Sequence, residues 1–297
     1  MIECTRGALL EAFAGVRTFA KKTQRAPHKH LLLLIALARV QRGEPRWIPY
    51  PVVLADLGEL LARYSPFGRR TPENPYWRLR NDKGPLWEVR GTDELLRRSK
   101  VTNSSPTSAF LLENHAEAGF TEEVQTCLLA HPSWVNDLAQ DILDRNFPAT
   151  FHEELLDCVG MPWVVETDRG RRRDPRFRGD VLAAYGYSCA VCGYDGRLGE
   201  VSLGIEAAHV RWHAMGGPDH VDNGLALCTF HHKVLDYGAI GITDDRKIQV
   251  KRTVNWRSDT GAQLLDLHGR PLRSPSRAPS PKLEYIRWHQ REVFGEH

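Results

Sequence analysis

Residues 31–40 (LLLLIALARV) are apolar almost without interruption, which predicts a helix buried on most sides. At 54–63 the apolar positions Leu54, Leu57, Leu60 and Leu61 recur with the spacing of one helix face. A longer helical stretch covers 120–143. It opens on Thr121, Glu122 and Glu123, and Pro132 is expected to divide it, with Ser133 capping the second piece. Between these helices, 64–85 is polar and punctuated by Pro66, Pro72, Pro75 and Pro85, which predicts a long functional or disordered loop. The first part of the chain therefore reads as mainly helical.

The pattern changes at 168–178 (DRGRRRDPRFR), which is charged, broken by Gly and Pro, and without periodicity. Domains are expected at 1–165 and 166–297. In the second, a strand at 205–210 leads through the turn Gly216-Gly217-Pro218 to a second strand after Asn223 and a helix after Cys228, a ββα order. A Ser/Pro-rich stretch at 272–281 reads as an exposed connection. Residues 282–294 read as a last amphipathic helix with Leu283, Ile286 and Val293 on its apolar face. The fold class expected is α+β, and no internal repeat is visible.

At 297 residues, two domains can each bury a core, with little left for a third. Hydrophobic residues at 41% and charged residues at 26% are ordinary globular values, so a disordered or fibrous chain is excluded. No apolar run approaches the ~20 residues that cross a bilayer. Met1-Ile2-Glu3-Cys4 is unlike a signal peptide, so a cytoplasmic protein without a membrane partner is expected. The net charge of +3 says less than its distribution. Residues 63–100 carry ten Lys/Arg against five Asp/Glu, and 168–178 six Arg against two Asp. Such patches suit a phosphate backbone, although each also fits a solvated basic surface.

Three of the six cysteines belong to two ligand pairs, Cys189-Ala-Val-Cys192 and Cys228-Thr-Phe-His231. Each two-residue gap lets both side chains reach one tetrahedral ion, and Cys3His is a common structural zinc set; free buried thiols are the alternative. Gly193 follows the first pair, where a knuckle turn needs it. Such a site supplies folding energy and leaves no open position for chemistry. Cys4, Cys127 and Cys158 stand isolated, so no disulfide framework is expected, and Cys127 reads as a small core residue.

Between the zinc pairs lie Glu206-Ala-Ala-His209 and Asp222-Asn223-Gly224, and His232 follows His231. These residues resemble the HNH (ββα-metal) nuclease family, with His209, Asn223 and His232 at its three motif positions. Adjacent helical residues point ~100° apart, so His231 can face zinc while His232 faces a second site. A neutral imidazole can take a proton from water near pH 7. The resemblance implies His209 as general base, Asn223 as its orienter, and His232 as ligand of a catalytic Mg²⁺ or Mn²⁺. Many members carry an acidic ligand directly before the first histidine, where this chain has Ala208. Glu206 is expected to point to the opposite face of a regular strand. His213 and His220 read as surface or DNA-contacting residues.

In the first domain, Pro27-His28-Lys29-His30, Asn74-Pro75-Tyr76-Trp77 and Asp82-Lys83-Gly84-Pro85 resemble the sulfur-binding domain of McrA-type restriction endonucleases. That family places a helical DNA-reading domain before an HNH domain and recognises phosphorothioate DNA, in which sulfur replaces a non-bridging phosphate oxygen. Sulfur is softer and less hydrated than oxygen, so an apolar cup can prefer it. The resemblance implies that Pro75 and Tyr76 offer that surface, that His28, Lys29, Arg69 and Arg70 hold the surrounding backbone, and that Asn74 donates to it. A charged helix start for His28 and Lys29, and core for Tyr76, are the alternatives.

The expected function is a type IV restriction endonuclease that binds phosphorothioate-modified double-stranded DNA and hydrolyses nearby phosphodiester bonds, as a possible homodimer. An HNH nuclease directed to another mark such as 5-methylcytosine, or a zinc-stabilised DNA-binding protein that does not cut, are the alternatives.

Overall fold

The Thr5 hydroxyl accepts the Ala8 N–H and caps α1 (Arg6–Ala14), which buries Leu9 and Phe13. The computed structural model describes residues 3–17, 20–21, 24–25, 27–64, 71–82, 84–101, 104–161, 174–255, 257, 259–276 and 278–295. They fall into two units, Met1–Gly170 and Arg171–His297.

In the first unit a short hairpin, β1 (Ala20–Lys21) and β2 (Gln24–Arg25), precedes α2 (His28–Gln41). Every residue of α2 from His30 to Ala38 is buried, as its unbroken apolar run requires. Around it follow β3 (Ile48–Pro49), α3 (Tyr50–Tyr64), α4 (Glu73–Arg78), β4 (Trp87–Arg90), α5 (Asp93–Val101) and α6 (Ser108–Glu113). The unit ends with β5 (Glu117–Phe120), α7 (Glu122–Ala130), α8 (Pro132–Asn146) and α9 (His152–Val159). The three strands form an antiparallel sheet in the order β3-β5-β4, with Ala118 paired to both Ile48 and Val89.

Three expectations change here. Pro132 does divide the long helix, but it sits at the first helical position behind His131, so Ser133 lies inside α8 and is not its cap. The 64–85 stretch contains α4 and a 3-10 turn at Leu79–Asn81, because Pro75, Tyr76, Trp77 and Leu79 all have core to fill. Cys4 and Cys127 form a disulfide, with Cα atoms 5.7 Å apart across a sequence separation of 123. Their isolation in sequence concealed a contact that depends on how the chain before α1 packs against α7.

In the second unit, Asp174 caps α10 (Pro175–Ala184) by accepting the Arg176 N–H at 2.9 Å, with Pro175 at the first helical position. The end of the basic 168–178 run is therefore a helix start, and 168–173 lies outside the described residues. A hairpin, β6 (Arg197–Leu198) and β7 (Val201–Ser202), leads to β8 (Ile205–His209), β9 (Gly224–Cys228) and α11 (Thr229–Asp236). β8 and β9 pair antiparallel from Ile205 with Cys228 to His209 with Gly224. This is the expected ββα order, and Ile205, Ala208, Leu225, Leu227 and Leu235 are buried in its core.

β10 (Ile240–Ile242), β11 (Ile248–Val250), α12 (Asp259–Ala262) and α13 (Leu283–His289) complete the unit, and α13 runs on as a π-helical turn, Gln290–Phe294. The 272–281 connection is tied down: Arg273 N–H donates to Ala190 and Ser276 N–H to Ala184, both at 2.9 Å. Among the described residues no helix is long and apolar enough to cross a membrane.

Candidate active site

Cys189, Cys192, Cys228 and His231 converge so that one ligand atom from each lies within 4.8 Å of the others. The Cys189–Cys192 pair sits in a tight turn in which the Gly193 N–H donates to the Cys189 carbonyl at 2.8 Å, with Gly193 at φ +80°. Cys228 closes β9, and His231 on α11 brings Nδ1 to 3.1 Å from Cys228 Sγ and 3.6 Å from Cys189 Sγ. The hydrogen bond from Cys228, helped by His231, lowers the Cys189 thiol well below its ordinary value, and the same bond pushes Cys228 up. Three crowded thiols cannot all ionise alone, and a dication that binds thiolates relieves that repulsion. The donor set fits tetrahedral zinc.

His232, the next residue on α11, faces other groups. Its Nδ1 is 2.6 Å from Glu206 Oε2, and its Nε2 is 3.4 Å from Asp236 Oδ2, one helical turn on. Glu206 on β8 was expected on the opposite face of the strand, outside the metal shell, yet it meets His232 of α11. The hydrogen bond to His232 holds Glu206 below the usual carboxylate range. Asp236 is 3% exposed, and its other oxygen accepts the indole N–H of Trp212 at 2.8 Å. An imidazole with a carboxylate on either side suits a hard divalent cation. Neither Glu206 nor Asp236 was singled out from sequence as a ligand. The i,i+4 spacing of His232 and Asp236 was the available signal.

His209 ends β8 with its ring stacked on Phe177 of α10, centroids 4.1 Å apart at 17°. Its Nε2 lies 2.7 Å from Asp219 Oδ1. The second oxygen of Asp219 accepts the Asp174 backbone N–H at 2.7 Å and lies 3.6 Å from His213 Nε2. Burial raises the Asp219 carboxyl, but the Asp174 N–H, His209 and His213 outweigh it and bring it below its ordinary value. His213 therefore turns inward onto a carboxylate, with 9% of its side chain exposed, and is not the surface residue expected. His220 is exposed.

Asn223 is fully buried and braces the turn between the strands. Its Oδ1 accepts the Arg211 N–H at 2.9 Å, and its Nδ2 donates to the Arg211 and Pro218 carbonyls at 3.0 Å each. A Cβ on Gly217 would lie 1.8 Å from the Arg211 carbonyl oxygen, so only glycine allows this approach. Pro218, held by Asn223, is followed directly by Asp219. Trp212 then links both histidine clusters along the chain, because it donates to Asp236 while its neighbour His213 faces Asp219.

In the first unit His28 and Asn74 are half-buried, at the first turns of α2 and α4. Two expectations are corrected. Lys29 is already neutralised, its Nζ 2.6 Å from Asp82 Oδ2 with 14% and 4% of the two side chains exposed. Tyr76 has no exposed surface: its hydroxyl donates to the Ile48 carbonyl at 3.2 Å, so it supports the α4 segment from beneath. Pro75 is buried beside it. Arg69 and Arg70 lie outside the described residues. Arg80, not singled out from sequence, lies 3.7 Å over the Trp77 ring, and among the described residues it has no acidic partner. Burial lowers its basicity, and its Nε is enclosed without an acceptor.

A family model described as "ScoMcrA-like, DNA sulfur-binding domain" matches residues 6–163, more than half of the chain, and one described as "HNH endonuclease" matches residues 189–243. No curated protein matches the chain. Among solved structures, the sulfur binding domain of ScoMcrA complexed with phosphorothioated DNA is 24% identical with a TM-score of 0.43, over 51% of this chain and 94% of that chain. The corresponding SprMcrA complex is 21% identical with a TM-score of 0.43, over 53% and 94%. The modification dependent TagI restriction endonuclease is 28% identical with a TM-score of 0.33, over 46% and 41%.

Proposed function

The chain belongs to the ScoMcrA-like DNA sulfur-binding family and carries an HNH endonuclease domain, and from that premise we propose that it is a restriction endonuclease for phosphorothioate-modified double-stranded DNA, reading the mark with residues 1–165 and cutting with 166–297. The observation that carries the proposal is the joining, in one chain, of the sulfur-binding unit to a ββα unit in which His209, Asn223 and His232 all stand in polar networks.

In the cutting unit His209 is the general base: its imidazole takes the proton of the attacking water near neutral pH. Asn223 holds the turn that follows β8. His232 would hold a catalytic Mg²⁺ or Mn²⁺, with Glu206 and Asp236 beside it. When bound, that cation supplies charge stabilisation at the scissile phosphate and the leaving oxygen. Zinc at Cys189, Cys192, Cys228 and His231 has a structural role, because four protein ligands leave no open position. The cutting unit holds one hydrolytic site, so cutting both strands takes two copies of the chain or two encounters.

In the reading unit, the Pro75 segment remains the sulfur-side candidate, His28 and Asn74 remain candidates for the surrounding backbone, and Arg80 joins them as a backbone cation. Binding of modified and unmodified duplexes of one sequence tests the target, and equal affinity would remove the sulfur claim. Cleavage of the modified duplex with Mn²⁺ tests the chemistry. Wild type is expected to cut, and His209→Ala to bind equally while cutting on the order of 10² to 10⁴ times more slowly.

A further inference from the structure

We propose that Asp219 is the positioning residue of the cleavage reaction: its carboxylate fixes the ring and tautomer of His209 so that Nδ1 is the nitrogen that takes the proton from water. The inference rests on His209 acting as the general base.

A carboxylate can only accept, so the 2.7 Å contact to Asp219 Oδ1 requires the hydrogen of a neutral His209 ring to sit on Nε2. The lone pair then belongs to Nδ1. The ring has little freedom to turn, because one face stacks on Phe177. Asp219 is itself anchored. Its other oxygen accepts the Asp174 N–H at the start of α10, and only 12% of its side chain is exposed. The residue before it, Pro218, is tied through its carbonyl to Asn223. Asn223 therefore acts on the base at one remove: it shapes the turn, the turn places Asp219, and Asp219 orients His209.

The same carboxylate stabilises the imidazolium that forms once the proton has moved from water to Nδ1. Among the described residues, these groups face His209 and Asp219 from the packed elements. They are His213 in the turn, at 3.6 Å from Oδ2; the Asp174 backbone N–H from α10; and the uncharged Phe177 ring.

The test uses the full-length protein and Asp219→Asn, which keeps the side chain's shape but removes its charge and lets its amide donate to Nε2. The variant is expected to bind modified duplex within about twofold of wild type and to cleave it on the order of 10² to 10⁴ times more slowly at pH 7. The acidic limb of its rate profile is expected to move to lower pH, because the imidazolium loses its counter-charge. Cleavage at the wild-type rate with an unmoved acidic limb would overturn the proposal.

A second measurement does not depend on the variant folding. Nitrogen-15 spectra of the wild-type histidines at alkaline pH are expected to show His209, assigned by comparison with His209→Ala, protonated on Nε2. A ring protonated on Nδ1 would equally overturn the assignment. Full cleavage by His209→Ala would sink the general-base reading alone, leaving the spectra to decide what Asp219 holds.

Discussion

His231 and His232 are neighbours on α11, yet Nδ1 of the first lies 3.1 Å from Cys228 Sγ while Nδ1 of the second lies 2.6 Å from Glu206 Oε2. One short helix thus serves a cysteine cluster on one side and a carboxylate-flanked imidazole on the other, as the angle between successive helical residues allows. Substitutions at the two positions should therefore fail in different ways.

On the cysteine side, Cys192→Ser is expected to lower zinc content and to abolish or markedly lower the unfolding transition of unit 171–297, leaving that of unit 1–170 in place. A site of this kind contributes folding free energy directly, on the order of 10 kcal/mol. Calorimetry with metal analysis checks it. An unchanged transition in protein that holds no zinc would contradict a structural role.

On the carboxylate side, Glu206→Gln keeps a hydrogen-bonding group beside His232 but removes its charge. Affinity for Mn²⁺ in calorimetric titration is expected to fall by roughly 10- to 100-fold, with zinc content unchanged. Equal Mn²⁺ affinity would place the cation elsewhere.

In the reading unit, Arg80→Gln is expected to weaken binding to modified and unmodified duplexes by the same factor. It should also reduce the slope of log affinity against log salt by about 1, the sign of one lost phosphate contact. The Arg80 guanidinium has a ring beneath it and, among the described residues, no acid opposite, and a DNA phosphate would supply that anion. An unchanged slope would leave Arg80 a packing residue.

The fourth prediction concerns pH. His289 is fully buried, with Nε2 2.9 Å from the Leu235 carbonyl. Desolvation lowers it from 6.5 to about 4. Its folded value is depressed, so the unfolded chain takes up the proton first. The stability it contributes is complete above pH 6.5 and is lost as pH falls toward 4, up to roughly 3 kcal/mol. Chemical denaturation across that range should show the loss, and His289→Gln should flatten it. An equally steep loss in the variant would assign the effect to other groups.

Much of this is legible in the sequence. The unbroken apolar run of α2, the paired C-x-x-C and C-x-x-H, and the His209, Asn223, His232 order are patterns within single elements or across one hairpin. Backbone geometry and ligand reach fix what such spacings can do. Asp174-Pro175 was a readable helix start too, but it lay inside a basic run that reads as linker.

What only the tertiary structure decided are the meetings between elements. Asp219 with His209, Glu206 with His232, Lys29 with Asp82 and Cys4 with Cys127 are separated by 10, 26, 53 and 123 residues. Sequence alone left Lys29 available to a phosphate and Tyr76 available to sulfur. Packing instead gave one a buried counter-ion and the other a carbonyl in the core. The reason is physical: the direction of a side chain along one helix or strand follows from local geometry, whereas the group it meets depends on which faces the core brings together.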